Sequence, residues 1–363
     1  MSERVSDTRS APAPRLHWID LAKACAVVLV VIYHVGAGLE MVIPNGTGSA
    51  SDFWAEVNRI ALPLRMPLFF LVAGMLAHTA VSRRWSAVVR PRIFALLWPY
   101  VLWTVAFACV AGAAYRPDDP IAFGIERLKG LPFARAGYWF LLVLAVFFVA
   151  AKLLQRWAPL ALTLALLVSV AAPWLEAQVF PSMHWLVIYG ITKVARYAFW
   201  YLLGCYGFRE VSRLSHVNPL LLIAGGGAAF GALTWLATSA SLAAELSFAL
   251  SAAGVIAMIG VSAWGVRFET VRRTSRYLAS RTLPIYLIHP LLIVLIIVVA
   301  RLIGVEPLPD DALATLLTPL IAVLLLIVSV IVYDRLSKSR VAWVFAPPAW
   351  TDRLLPAPAR LSR

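Results

Sequence analysis

Apolar residues in this chain come in long unbroken runs, not in alternation. Ten such runs are legible: 18–39, 57–79, 93–114, 137–154, 158–175, 185–206, 218–238, 242–265, 282–304 and 312–333. At 1.5 Å per residue, about twenty helical residues cross the ~30 Å of a bilayer's hydrocarbon. Continuous runs of that length predict helices, because a membrane strand would alternate apolar and polar positions. The polar segments between the runs alternate too. The two ends of the chain and the segments after runs two, four, six and eight are basic. Those after runs one, seven and nine are acidic, and the mixed segment after run three falls in phase. Lys and Arg gather on the cytoplasmic side, so the alternation predicts that both termini are cytoplasmic. It also checks the count, since one missed helix would break the phase. The predicted fold class is all-α, a polytopic membrane bundle of about ten transmembrane helices. Residues 1–17 form a polar, disordered cytoplasmic tail, 18–334 the transmembrane domain and 335–363 a basic cytoplasmic tail.

Composition excludes a soluble reading. Hydrophobic residues make up 61% of the 363-residue chain, charged residues 14%, and mean hydropathy is +0.82. One soluble core cannot hide that much apolar surface. A net charge of +14 is compatible with nucleic-acid binding, but the basic residues sit in short loops between the runs, so no nucleic-acid partner is expected. Cys25, Cys109 and Cys205 lie in or at the edges of runs, without disulfide or zinc spacing, and no metal site is expected. The first run is too long and too polar-striped for a cleavable signal.

That first run carries the chemistry. Asp20, Lys23 and His34 interrupt it. Lys23 and His34 are eleven residues apart, so they lie within about 20° around the helix and ~16 Å apart along it. Asp20 lies within about 40° of the same line. Ionisable groups are costly in lipid and usually functional there. With the amino terminus inside, Lys23 falls near the cytoplasmic end and His34 near the outer end. A cation inside and a titratable imidazole outside suit a reaction that reaches across the membrane. The plainer alternative makes His34 an interhelical hydrogen-bonding group.

Further polar residues point to a shared interior. Arg65 lies in the outer half of the second run between Pro63 and Pro67, where an irregular helix is expected. Lys193 and Arg196 share a face of the sixth run, as Tyr286 and His289 do in the ninth. Carboxylates in the runs are scarce, chiefly Asp20, Glu56 and Glu245 near ends. Cations are thus left wanting an anion, which a phosphate-bearing ligand would supply, with simple interhelical bonding as the alternative. Trp139 reads as an interface marker. Tyr197 and Tyr201 read as packing, with lining of a ligand path as the alternative.

At these residues the sequence resembles the membrane acyltransferase-3 family, which has ten core helices and a D-x-x-R-x10-H pattern in its first span. Asp20, Lys23 and His34 stand at those places, with lysine for the family's arginine. Lysine keeps the charge and loses the bidentate fork. PLFFLVAGML at 67–76 resembles the family's second-span signature, with Ala73 where serine is usual. GYWFLLVL at 137–144 resembles its L-W-F-L segment, and LPIYLIHPLL at 283–292 its penultimate-span Y-x-x-H segment. The matches run from the first span to the ninth.

The resemblance implies an integral membrane O-acyltransferase of the bacterial inner membrane. It would move an acyl group, usually acetyl, from acyl-CoA as co-substrate to a hydroxyl of a glycan, a lipid-linked sugar or a small lipophilic molecule, with no bound cofactor. His34 would be general base or transient acyl carrier. Asp20 would orient Lys23, and Lys23, Arg65, Arg196 and Lys193 would hold donor phosphates or the oxyanion. Tyr286, His289 and Tyr197 would line the channel. Two other readings stay open: a secondary transporter, which also uses broken helices and buried charge, and an inactive family member with an assembly role.

Overall fold

The computed structural model describes residues 16–39, 49–304 and 311–354. Among them, ten long helices follow in chain order. They are α1 (His17–Leu39), α2 (Ser49–Met75), α3 (Ala95–Val110), α4 (Trp139–Leu154), α5 (Ala158–Gln178), α6 (Trp185–Tyr206), α7 (Pro219–Ser239), α8 (Ser247–Gly265), α9 (Thr282–Leu302) and α10 (Asp311–Leu336). No strand occurs among the described residues. Each expected run has its helix. Eight stretches are long and apolar enough to cross a membrane, and one of these is a 40-residue run, Trp139–Gln178. A tight turn at Gln155–Trp157 divides that run into α4 and α5. As one straight helix it would span about 60 Å, twice the hydrocarbon thickness. α6 is less apolar, carrying Lys193, Arg196 and four tyrosines.

α1 sits at the centre. It packs against α2, α8, α9, α10 and the short helix Glu269–Ala279. Its Ala22, Val27 and Val31 are wholly buried, so its apolar positions are spent on neighbouring helices and not on lipid. α2 and α6 cross so closely that glycine is required on both sides. A Cβ on Gly74 would lie 2.1 Å from the Tyr201 carbonyl oxygen, and one on Gly204 would lie 2.1 Å from that of Leu71. Small residues let membrane helices bring their backbones together where lipid supplies no hydrophobic drive.

Prolines shape the walls. α2 runs unbroken through Pro63 and Pro67, so the irregularity expected there is absent. Each proline still removes one amide donor, leaving the carbonyls of Arg59 and Pro63 without their helical partners. α10 shows how such a group is satisfied. Pro319 frees the Thr315 carbonyl, which accepts the Trp54 indole Nε1–H at 3.2 Å.

Two loops are more ordered than expected. The mixed segment after α3 contains the helix Pro120–Lys129, capped by Asp119, whose side chain accepts from the Ala122 amide at 3.1 Å. The basic segment after α8 contains Glu269–Ala279, where Arg273 and Arg272 hydrogen-bond Glu269 and hold its carboxyl below the ordinary range. Arg281 and Tyr277 tie this region to Asp334 of α10. Part of the basic C-terminal segment is docked. Trp98 and Trp103 donate to the carbonyls of Trp343 and Val344, both at 2.8 Å, and Phe345 is buried.

Candidate active site

Two cavities lie back to back along α1, sharing a wall of Phe69, Phe140 and Tyr286. The first, about 210 Å³, lies toward the amino-terminal end of α1. Its walls are apolar, including Val72, Leu76, Leu144 and Phe148, and its cations are Lys23 and Arg92. Lys23 Nζ donates to the Ala279 carbonyl at 2.8 Å, satisfying the last turn of Glu269–Ala279. Arg92 comes from the π-helical segment Val89–Phe94, and its guanidinium donates to the Leu76 carbonyl at 2.8 Å. Such wide turns re-aim side chains and cluster at functional sites.

The second cavity, about 110 Å³, holds His34. Arg65 and Lys193 are its cations, Tyr33, Trp139, Tyr189, Tyr197 and Tyr286 supply aromatic faces, and no carboxylate among the described residues lines it. Behind His34 lies His289, with no exposed surface. Its Nε2 is 3.1 Å from His34 Nδ1, and its Nδ1 is 2.7 Å from the Ile285 carbonyl. The carbonyl can only accept, so His289 Nδ1 carries a proton and, in the neutral ring, its Nε2 accepts. His34 Nδ1 must then be the donor, which leaves His34 Nε2 as an unprotonated lone pair. The Ile285 carbonyl thus acts on the His34 tautomer through His289, alongside the Val30 carbonyl that His34 bonds directly, and tautomer control by the partner of the other ring nitrogen is how histidines are readied for proton transfer.

Among the described residues, neither cation has a carboxylate within ion-pair distance. Arg65 is 3% exposed. Its Cζ lies 4.3 Å from the Tyr33 ring centroid, one nitrogen reaches the Leu29 carbonyl at 3.4 Å, and Nε has no partner. Lys193 Nζ lies 4.6 Å from the Tyr189 ring centroid and 5.0 Å from that of Trp139. Aromatic faces hold cations while leaving their N–H groups available to an anion. α4 and α9 are fixed by reciprocal tyrosines. Buried Tyr138 donates to the Leu287 carbonyl at 2.9 Å, and Tyr286 to that of Gly137 at 3.5 Å.

The structure brings His34, Arg65, Lys193, Tyr197 and Tyr286 together and places three expected residues elsewhere. His289 does not line the channel; it backs His34. Arg196 does not line the His34 cavity. It pairs bidentately with Glu176, both contacts 2.5 Å, and faces a third cavity. Asp20 is buried fourteen residues before His34, about 21 Å along the helix, and lines neither cavity. It belongs to the inner end of α1, beyond reach of chemistry at His34. Sequence reasoning missed Glu176, one residue beyond the fifth run, and Trp139, assigned to the interface. It also missed Tyr33, Tyr189 and Arg92. The position of Tyr33 beside His34 was the available signal.

Comparison with known proteins accords with this arrangement. The acyltransferase-3 family profile, described as an acyltransferase domain, matches residues 16–334. The inner membrane protein YcfT of Escherichia coli (strain K12) is 25% identical over 377 aligned residues, covering 95% of this chain and 98% of the relative. No solved structure matches at a significant level. The chain belongs to the acyltransferase-3 family and is a multi-pass membrane protein.

Proposed function

We propose, on the premise of that membership, that this acyltransferase moves an acyl group from a cytoplasmic acyl-CoA to a hydroxyl presented from the outer half of the membrane. The observation that supports this most is the His34–His289 pair, which leaves a basic nitrogen in a cavity holding two cations and no carboxylate. The acceptor hydroxyl gives its proton to His34 Nε2 as its oxygen attacks the thioester carbonyl. Arg65 and Lys193 stabilise the oxyanion that forms, a role in which a preorganised donor is worth about 10²–10³ in rate. Collapse expels the CoA thiolate, which recovers the proton from His34. The donor's arm reaches this point through the inner cavity, with Lys23 and Arg92 at its cationic end to meet phosphates. Tyr286, Phe69 and Phe140 form the wall its thioester must pass. Acetyl is the acyl group the family resemblance favours, and surface glycans, lipid-linked sugars and small lipophilic alcohols are the acceptor classes.

The test uses the full chain in liposomes with labelled acetyl-CoA. Label on a hydroxylated acceptor supports the enzyme. A Lys23→Ala variant with raised donor KM, restored by Lys23→Arg, supports the inner site; one donor KM for all three versions removes it. Solute uptake without transfer would establish a transporter. Neither transfer nor uptake would leave an inactive member with an assembly role.

A further inference from the structure

A third cavity, about 160 Å³, opens between α2, α5, α6 and α8, and it differs chemically from the other two. It shares Leu62 and Tyr197 with the His34 cavity, so the two adjoin at those side chains. Its two cations are Arg59 and Arg196. Each is neutralised by its own carboxylate. Arg59 binds Glu56 through two contacts of 2.7 and 2.5 Å, and Arg196 binds Glu176 likewise. The wall therefore offers arginine N–H donors whose charge is already balanced by carboxylates outside the lining, with little net charge. Acceptors are on hand as well. The Arg59 and Pro63 carbonyls lost their helical donors to Pro63 and Pro67, which line the cavity, and no described side chain donates to either. Serine hydroxyls at Ser247 and Ser251 and the stacked rings of Trp200 and Phe248, centroids 5.4 Å apart, complete the wall.

A phosphate needs uncompensated cations, and both arginines here are already paired. A plain acyl chain would leave the freed carbonyls and paired charges desolvated without return. A neutral sugar meets every requirement, because its hydroxyls donate and accept at once and its C–H face stacks on an aromatic ring. We infer that this lateral cavity is the acceptor subsite and that it takes the uncharged sugar head of an amphiphilic glycoside, with the apolar part in the surrounding lipid. The inference rests on the acyltransferase reading above for its role, but not for its binding chemistry. Seated there, a sugar lies beside the His34 cavity across the shared side chains Leu62 and Tyr197.

The experiment measures binding without turnover. The full chain in liposomes is photolabelled with octyl glucoside carrying a diazirine beside the glycosidic oxygen, with an octyl phosphate of the same design in parallel. Adducts are mapped by mass spectrometry. The glucoside labels the Tyr197–Trp200 or Ser247–Ser251 stretches roughly tenfold more than the phosphate does. Ser251→Trp, which fills the cavity, abolishes that labelling while acyl-CoA binding stays intact. If Ser251→Trp misfolds, excess unlabelled octyl glucoside must compete the adducts away from the native chain. Equal labelling by the phosphate, adducts only elsewhere, or no competition overturns the inference. Specific labelling without any acyl transfer would overturn the enzymatic reading and leave the sugar site standing. Transfer to glycosides without labelling here would do the reverse.

Discussion

Arg65 and Arg196 are the same residue type, and they face two cavities that share Tyr197. Arg196 is neutralised by Glu176 at 2.5 Å, whereas Arg65 has a tyrosine ring, one long contact to a carbonyl and a buried Nε without a partner. A paired arginine contributes to holding α5 against α6. An arginine left with unspent donors costs stability and keeps its field for a ligand. The difference separates, within one bundle, an arginine committed to an ion pair from one left with open donors.

That contrast can be broken by substitution. The largest effect is expected at Arg65. Arg65→Met should lower transfer by about 10²–10³, with melting temperature unchanged or raised, since a desolvated, partly unsatisfied charge is replaced by an apolar side chain. Lost stability with transfer retained would invert the comparison. Next is the positioning residue His289. His289→Leu removes the acceptor that fixes the His34 tautomer and should cut kcat by about 10–100-fold, on the scale seen for groups that orient a functional imidazole. His289→Gln, which can still accept, should recover part of it, and KM for the donor should not move. At the paired arginine, Glu176→Gln should cost about 1–3 kcal/mol by leaving Arg196 unpaired at a partly accessible site. The double variant Arg196→Met/Glu176→Leu should regain most of that, read as thermal unfolding in detergent. The smallest effect is at the tyrosine clasp: Tyr138→Phe should cost about 1 kcal/mol from the lost bond to Leu287.

The ten-helix bundle was legible because runs of twenty apolar residues leave few alternatives, and loop charge checked their number. Helices in the loops were not, since Glu269–Ala279 is short and strongly charged, and its order comes from contacts with α1 and α10. Within the site, the stripe on α1 led to His34, which lines a cavity, and the shared face of α9 placed Tyr286 and His289 in ring contact, centroids 6.2 Å apart. What periodicity cannot give is which helix stands behind which. His289 read as a channel residue because its own helix does not show that His34 lies 3.1 Å away, 255 residues earlier in the chain. Arg196 read as an unpaired cation because Glu176 lies one residue past the apolar run, and the length of α5 carries it back into the bundle. Trp139 read as a membrane-surface anchor because a tryptophan at the start of a run has that role wherever no cation packs over it, as Lys193 does here.

The account turns on His34 Nε2 as the base that accepts the acceptor's proton. His34→Asn tests this most directly, because the asparagine amide can still donate to His289 while nothing occupies the Nε2 position. Labelled acetyl-CoA transfer by the variant in liposomes should fall by about 10²–10⁴, with acyl-CoA binding and thermal unfolding unchanged. Transfer within a few-fold of the native rate would contradict the assignment of His34 and the proton route built on it.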